Sequence, residues 1–140
     1  MSVDSSSYLL DTSALLALIE AEEGGIRVRD LIASRRTIIT FMALLELRYI
    51  TLREHGQSTA NHRYGLLLHS GAAVLWQIDE ATLNLAAQFK ADHPLSLADA
   101  INAAFARQRQ AILVHKDPEY EALKDLITLE ALPYTKRTKS

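Results

Sequence analysis

Between Tyr8 and Leu129 the chain alternates apolar runs of strand length with segments of helical length. The runs are apolar throughout rather than at every second residue, which suits strands covered on both faces; strands separated by helices pair in parallel. Tyr8 to Asp11 reads as a first buried strand, followed by short helices over Ser13 to Ile19 and Ile26 to Ala33, the latter with Ile26, Leu31 and Ile32 inward. Thr37 to Ile39 is the second strand. A long helix over Phe41 to Glu54 follows, ended by Gly56, and Ser58 is the expected cap of a helix running to about His69. The third strand is expected at Ala73 to Ile78, with Trp76 as core packing. Asp79 caps a helix over Glu80 to Lys90, and Ser96 caps another over Leu97 to Gln108. Ile112 to Val114, a short helix over Pro118 to Leu123 and a strand at Ile127 to Leu129 complete the pattern. The expected fold is one α/β domain over residues 1–134, three layers deep (α/β/α), with a mainly parallel sheet of about five strands. Residues 135–140 carry Lys136, Arg137 and Lys139 without apolar periodicity and read as a basic, mobile tail.

At 140 residues the chain is long enough to bury a real core as a single domain. The net charge of −2 excludes a globally basic nucleic-acid binder, so a polyanionic ligand would need a local basic patch, a metal, or both. No cysteine is present, which excludes disulfides, thiolate metal sites and a cysteine nucleophile. Neither a membrane span nor a secretory leader is visible, and a cytoplasmic location is expected.

Four acids stand out because the charge partners usual on a helix surface are missing. Asp11 ends the first strand and opens a helix, the position where open α/β sheets place their chemistry. Glu46 has Met42, Ala43, Tyr49 and Ile50 as helical neighbours, and Asp99 has Leu95, Ser96, Asn102 and Ala103. Asp117 opens its helix facing Tyr120 and Glu121. Each has a purely structural alternative. Asp11 and Asp117 could be N-caps, Asp99 with Ser96 fits a capping box, and Glu46 could be solvated on a helix edge. In a parallel sheet, however, two acids directly after strands and two on helices leading from strand ends converge on one rim. Four carboxylates there would repel one another unless a divalent cation joined them.

Leu9 to Ser13, the helix bearing Glu46, Ser96 to Ala100 and Leu113 to Glu119 resemble the acidic motifs of PIN-domain ribonucleases, above all the VapC-type toxins of toxin–antitoxin pairs. The resemblance runs from Tyr8 to about Leu132. It implies a metal-dependent endoribonuclease with Asp11, Glu46, Asp99 and Asp117 as the acidic set, Thr12 or Ser13 supporting the first acid, and Mg²⁺ or Mn²⁺ as cofactor. It further implies RNA as substrate, a cognate antitoxin lying over the acidic crevice, and a homodimer. Asp11 and Asp99 are the expected core of the metal site. One departure is visible: His115 stands two residues before the last acid, where many members carry threonine or serine.

Such a cation can activate water, orient the phosphate and neutralise the leaving oxygen. Candidate contacts to the RNA are His115 and Lys116, beside Asp117, and more generally Arg27, Arg29, Arg35, Arg36, Arg53, Arg137 and Lys139. His62 and His69 have no zinc-binding spacing. Two other classes stay open on the residues alone. A phosphoacceptor, receiver-like switch would want paired acids at the first strand, where Asp11 is single. An inert α/β binding scaffold would keep the fold without activity.

Overall fold

The computed structural model describes residues 6–134. Strand β1 (Tyr8–Leu10) leads into α1 (Thr12–Ile19) and α2 (Gly25–Ala33), and β2 (Thr37–Thr40) into α3 (Phe41–His55) and α4 (Gln57–Leu68). After β3 (Ala73–Leu75) come α5 (Glu80–Asp92) and α6 (Leu97–Arg109). Strand β4 (Ile112–His115), a 3₁₀ helix (Pro118–Leu123) and β5 (Leu129–Ala131) close the series. The sheet order is β3-β2-β1-β4-β5, every pairing parallel.

Two apolar clusters, one on each face of the sheet, make the three layers. Successive strand residues point to opposite faces. Tyr8, Leu10, Ile39 and Val114 accordingly pack with α1 to α4, whereas Leu9, Ile38 and Leu113 pack with α5, α6 and the 3₁₀ helix. Alanine at 98, 100, 103, 104 and 106 gives α6 a thin buried surface on which it can lie close to its neighbours. The chain order reverses between β1 and β4, so this fold has its switch-point crevice beyond those two strand ends.

The fold matches the expected α/β/α class, and the local differences have physical causes. Ile26 is 67% exposed rather than inward. A Cβ at Gly25 would stand 2.5 Å from the Ala17 carbonyl oxygen, so α2 begins in contact with α1; it buries Gly25, Val28 and the expected Leu31 and Ile32, leaving Ile26 outside. Ser58 does not cap α4. Gly56, at φ +89°, lets the chain turn directly from α3 into a helix starting at Gln57. Trp76 is 56% exposed because the edge strand β3 stops at Leu75 and the chain leaves the sheet before the indole is covered. Strand β5 lies two residues later than expected, in register Leu113 with Leu129, and Ile127 is buried ahead of it. The short helix expected over Pro118 to Leu123 is present with those bounds, as a 3₁₀ helix. The basic tail lies outside the described residues.

Leu113 is fully buried in the central strand pair. Leu113→Ala should lower the unfolding free energy by about 2–5 kcal/mol, read from urea denaturation followed by circular dichroism.

Candidate active site

Asp11 follows β1 directly and is the N-cap of α1. Its Oδ1 accepts from the Ala14 amide at 2.9 Å and from the Ser13 hydroxyl at 2.7 Å. Ser13 Oγ in turn accepts from the Lys116 amide at 2.8 Å, so one hydroxyl joins the ends of β1 and β4. Asp99 sits in the first turn of α6. Its amide donates to the capping Ser96 Oγ at 3.1 Å, but its carboxylate accepts from the Tyr120 hydroxyl at 3.0 Å. Asp117 lies just beyond β4, with Oδ1 accepting from the Glu119 amide at 3.0 Å. The capping roles open in the sequence are therefore met by the side chain of Asp11, of Asp117 and of Ser96, and they do not exhaust the oxygens of the acids.

Carboxylate oxygens of Asp99, Asp117 and Glu119 all lie within 4.8 Å of one another. Asp11 is close enough to couple electrostatically to Asp117 and Asp99. No ion pair reaches Asp11, Asp99, Asp117 or Glu119 among the described residues. Burial pushes the Asp11 carboxyl up to about 7, against the downward pull of its bonds to Ala14 and Ser13. Asp99 is also raised, first by burial and then by the neighbouring Asp117. Its donor Tyr120 is fully buried and has its phenol pushed well above its ordinary range by burial and by the two acids, so it stays protonated. This all-oxygen anionic set, crowded and with no Lys or Arg paired to it among the described residues, fits a hard divalent ion.

Glu46 is not part of this close set. It is half-buried on α3, roughly 8 Å along the axis from the helix start, and its side chain has no hydrogen bond or ion pair among the described residues. Ser13 supports the first acid, but Thr12 does not: its buried hydroxyl has no partner among the described residues.

His115 and Lys116, the candidate RNA contacts beside Asp117, both have buried side chains. His115 is fully buried, its ring 4.8 Å from that of Tyr120, and its Nδ1 accepts from the Asp117 amide at 3.1 Å. The Lys116 side chain is only 4% exposed; Nζ donates to the Glu23 carbonyl at 2.9 Å and lies 3.5 Å from the Glu22 carboxylate. Arg27 is paired with Glu130 at 2.8 Å, and Arg29 with Asp30. Arg137 and Lys139 lie outside the described residues.

Two participants were missed in the sequence. Glu119, two residues beyond Asp117, was legible only as a further acid in the same turn. Tyr120 was visible only as an aromatic neighbour of Asp117, since its reach to Asp99, 21 positions away, is tertiary.

The family description "PIN domain" matches residues 8–126. Among solved structures, the chain is similar to VapBC2 from Rickettsia felis bound to a DNA fragment from their promoter, with TM-score 0.73 and 15% identity over 90% of this chain and 98% of that one. It is similar to VapC20 from Mycobacterium tuberculosis, described as a Sarcin-Ricin loop cleaving toxin, with TM-score 0.72 and 19% identity over 91% and 100% of the two chains. DNA-bound VapBC from Salmonella typhimurium aligns with TM-score 0.70 and 21% identity over 90% and 98%. Comparison with curated proteins finds no match by sequence.

The raised carboxyls set the sign of a pH effect. Asp11 titrates near 3.8 in an unfolded chain and at about 7 here, so the folded state holds its proton more tightly. The stabilisation is complete below about pH 4 and is lost as pH rises through about 7. Metal-free protein should therefore melt at a higher temperature at pH 5 than at pH 8, and Asp11→Asn should flatten that slope. Differential scanning fluorimetry in chelator measures both; a wild-type Tm that climbs between these pH values would contradict the assignment.

Proposed function

Because the chain belongs to the PIN-domain family, we propose that its acidic rim is the active site of a Mg²⁺- or Mn²⁺-dependent endoribonuclease serving as the toxin of a toxin–antitoxin pair. The observation that carries the reading is the crowding of Asp99, Asp117 and Glu119 oxygens within 4.8 Å, beside buried Asp11 and with no ion pair to any of them among the described residues, in the switch-point crevice. A receiver-like switch has no comparable support: Asp79, the other acid after a strand, is the cap of α5, its Oδ1 accepting from Thr82.

In this reading Asp11, Asp99 and Asp117 would hold the cation, with Glu119 beside them. When bound, it supplies electrophilic activation of the phosphodiester and charge neutralisation as the bond breaks. Tyr120 fixes the orientation of Asp99 by its hydrogen bond, Ser13 fixes Asp11, and the His115 imidazole fixes the backbone turn that presents Asp117. Glu46, on α3, would contribute a further carboxylate to the same site.

The antitoxin and a second copy of the chain are part of the same proposal. Helix α3 buries Ala43, Leu44, Leu47 and Thr51 but exposes Leu45, Tyr49 and Leu52. The exposed three are spaced at i, i+4 and i+7, the pattern of a helix face that takes an apolar partner. No helix of the described residues is long and apolar enough to cross a membrane.

Asp11→Asn and Asp99→Asn should each lower Mn²⁺-dependent cleavage of total cellular RNA by about a hundredfold or more while leaving the circular dichroism spectrum unchanged. Full activity in either variant defeats the reading. Tyr120→Phe should weaken Mn²⁺ binding about tenfold, measured by calorimetry, because Asp99 loses the donor that orients it.

A further inference from the structure

A cleft of about 350 Å³ opens between the end of β4, the 3₁₀ helix and β5, lined by His115, Glu121, Lys124, Leu129, Ala131 and Tyr134. It contains none of the clustered acids, yet it shares His115 with the turn that presents Asp117. Its volume is within the range of small-ligand sites.

The lining is chemically mixed in a specific way. His115 accepts at Nδ1, so its neutral ring carries the proton on Nε2, and that buried N–H has no partner among the described residues. A buried donor left without an acceptor is rare in a folded protein. Lys124 adds a second donor and is in no ion pair among the described residues. Glu121, three positions earlier along the 3₁₀ helix, is an acceptor. The Tyr134 hydroxyl donates to its Oε1 at 3.3 Å, which orients the carboxylate and leaves Oε2 open. Leu129 and Ala131 alternate along β5 and form an apolar floor, and the Tyr134 ring lies 6.2 Å from that of His115.

The Lys124 donor, one oriented carboxylate, an aromatic ring and an apolar floor match a nucleobase, because unstacked RNA bases are read on their edges and packed against aromatic rings. Among the four bases, only guanine offers two adjacent donors, N1–H and N2–H, to a carboxylate, together with O6 and N7 as acceptors. We propose that this cleft is a subsite for one guanine base of the RNA, held next to the acidic rim by Glu121, Lys124 and Tyr134. The proposal rests on the ribonuclease reading above and adds the base that positions the scissile bond.

Two measurements test it. Calorimetric titration of the metal-free protein with GMP, AMP, CMP and UMP should show GMP bound about tenfold more tightly than the others, with the preference lost in Glu121→Gln. Cleavage of a randomised RNA pool with Mn²⁺ should show guanine favoured at one position near the cut. Glu121→Gln and Lys124→Met should each reduce that preference about tenfold while total cleavage persists. Cleavage whose base preference is the same in wild type and both variants overturns the subsite and leaves the nuclease standing. Selective GMP binding in a protein that cuts no RNA overturns the RNA source, identifies a free guanine nucleotide as the ligand, and sinks the nuclease reading separately.

Discussion

The parallel pairing of β1 with β4 sets the terms for everything at the rim. These strands lie side by side, but the connections that follow them diverge, so the chain opens a crevice just beyond their ends. Asp11 and Asp117 are the first and second residues past the two strands, which places both carboxylates at the mouth of that crevice. The Ser13 hydroxyl closes the seam by donating to Asp11 and accepting from the Lys116 amide. Without that double bond the two acids would be free to splay apart under their own repulsion.

The remaining geometry extends from this seam. Asp117 is presented by a turn whose amide is held by His115; the His115 ring packs against Tyr120; the Tyr120 hydroxyl reaches Asp99. Two side chains, His115 and Tyr120, both fully buried, thus couple the position of Asp117 to that of Asp99. The arrangement is costly in electrostatic terms, as the raised pKa of Asp11 records: burial there outweighs two hydrogen bonds to the ionised form. A structure gains nothing in stability from such crowding, which is the physical reason for reading it as a site.

The cationic side chains near the rim are committed elsewhere. Lys116 is drawn under the α1–α2 connection by Glu22 and the Glu23 carbonyl, and Arg27 forks onto Glu130 while its guanidinium lies over the Tyr8 ring. These pairs brace the sheet edges and loops around the crevice. In the proposed reading, substrate would be held by groups outside these ion pairs, such as those lining the cleft beside His115.

What the sequence determined by itself was periodic or immediately local. Uninterrupted apolar runs announced strands buried on both faces; Asp79 and Ser96 announced their helix starts; Gly56 announced a helix end. The acids at strand ends were legible for the same reason, since residue type and chain position suffice to put them on one rim. Only the tertiary structure decided which of them meet. Glu46 stands apart from the close set while Glu119 joins it, a difference of distance across the crevice that spacing along the chain does not encode. Burial was equally hidden. Trp76 is outside because the sheet edge ends one residue too early, whereas His115 and Lys116 are inside because β5 and the α1–α2 connection close over them. Whether a polar residue faces solvent or a partner depends on elements far away in sequence, and that information exists only once the layers are packed.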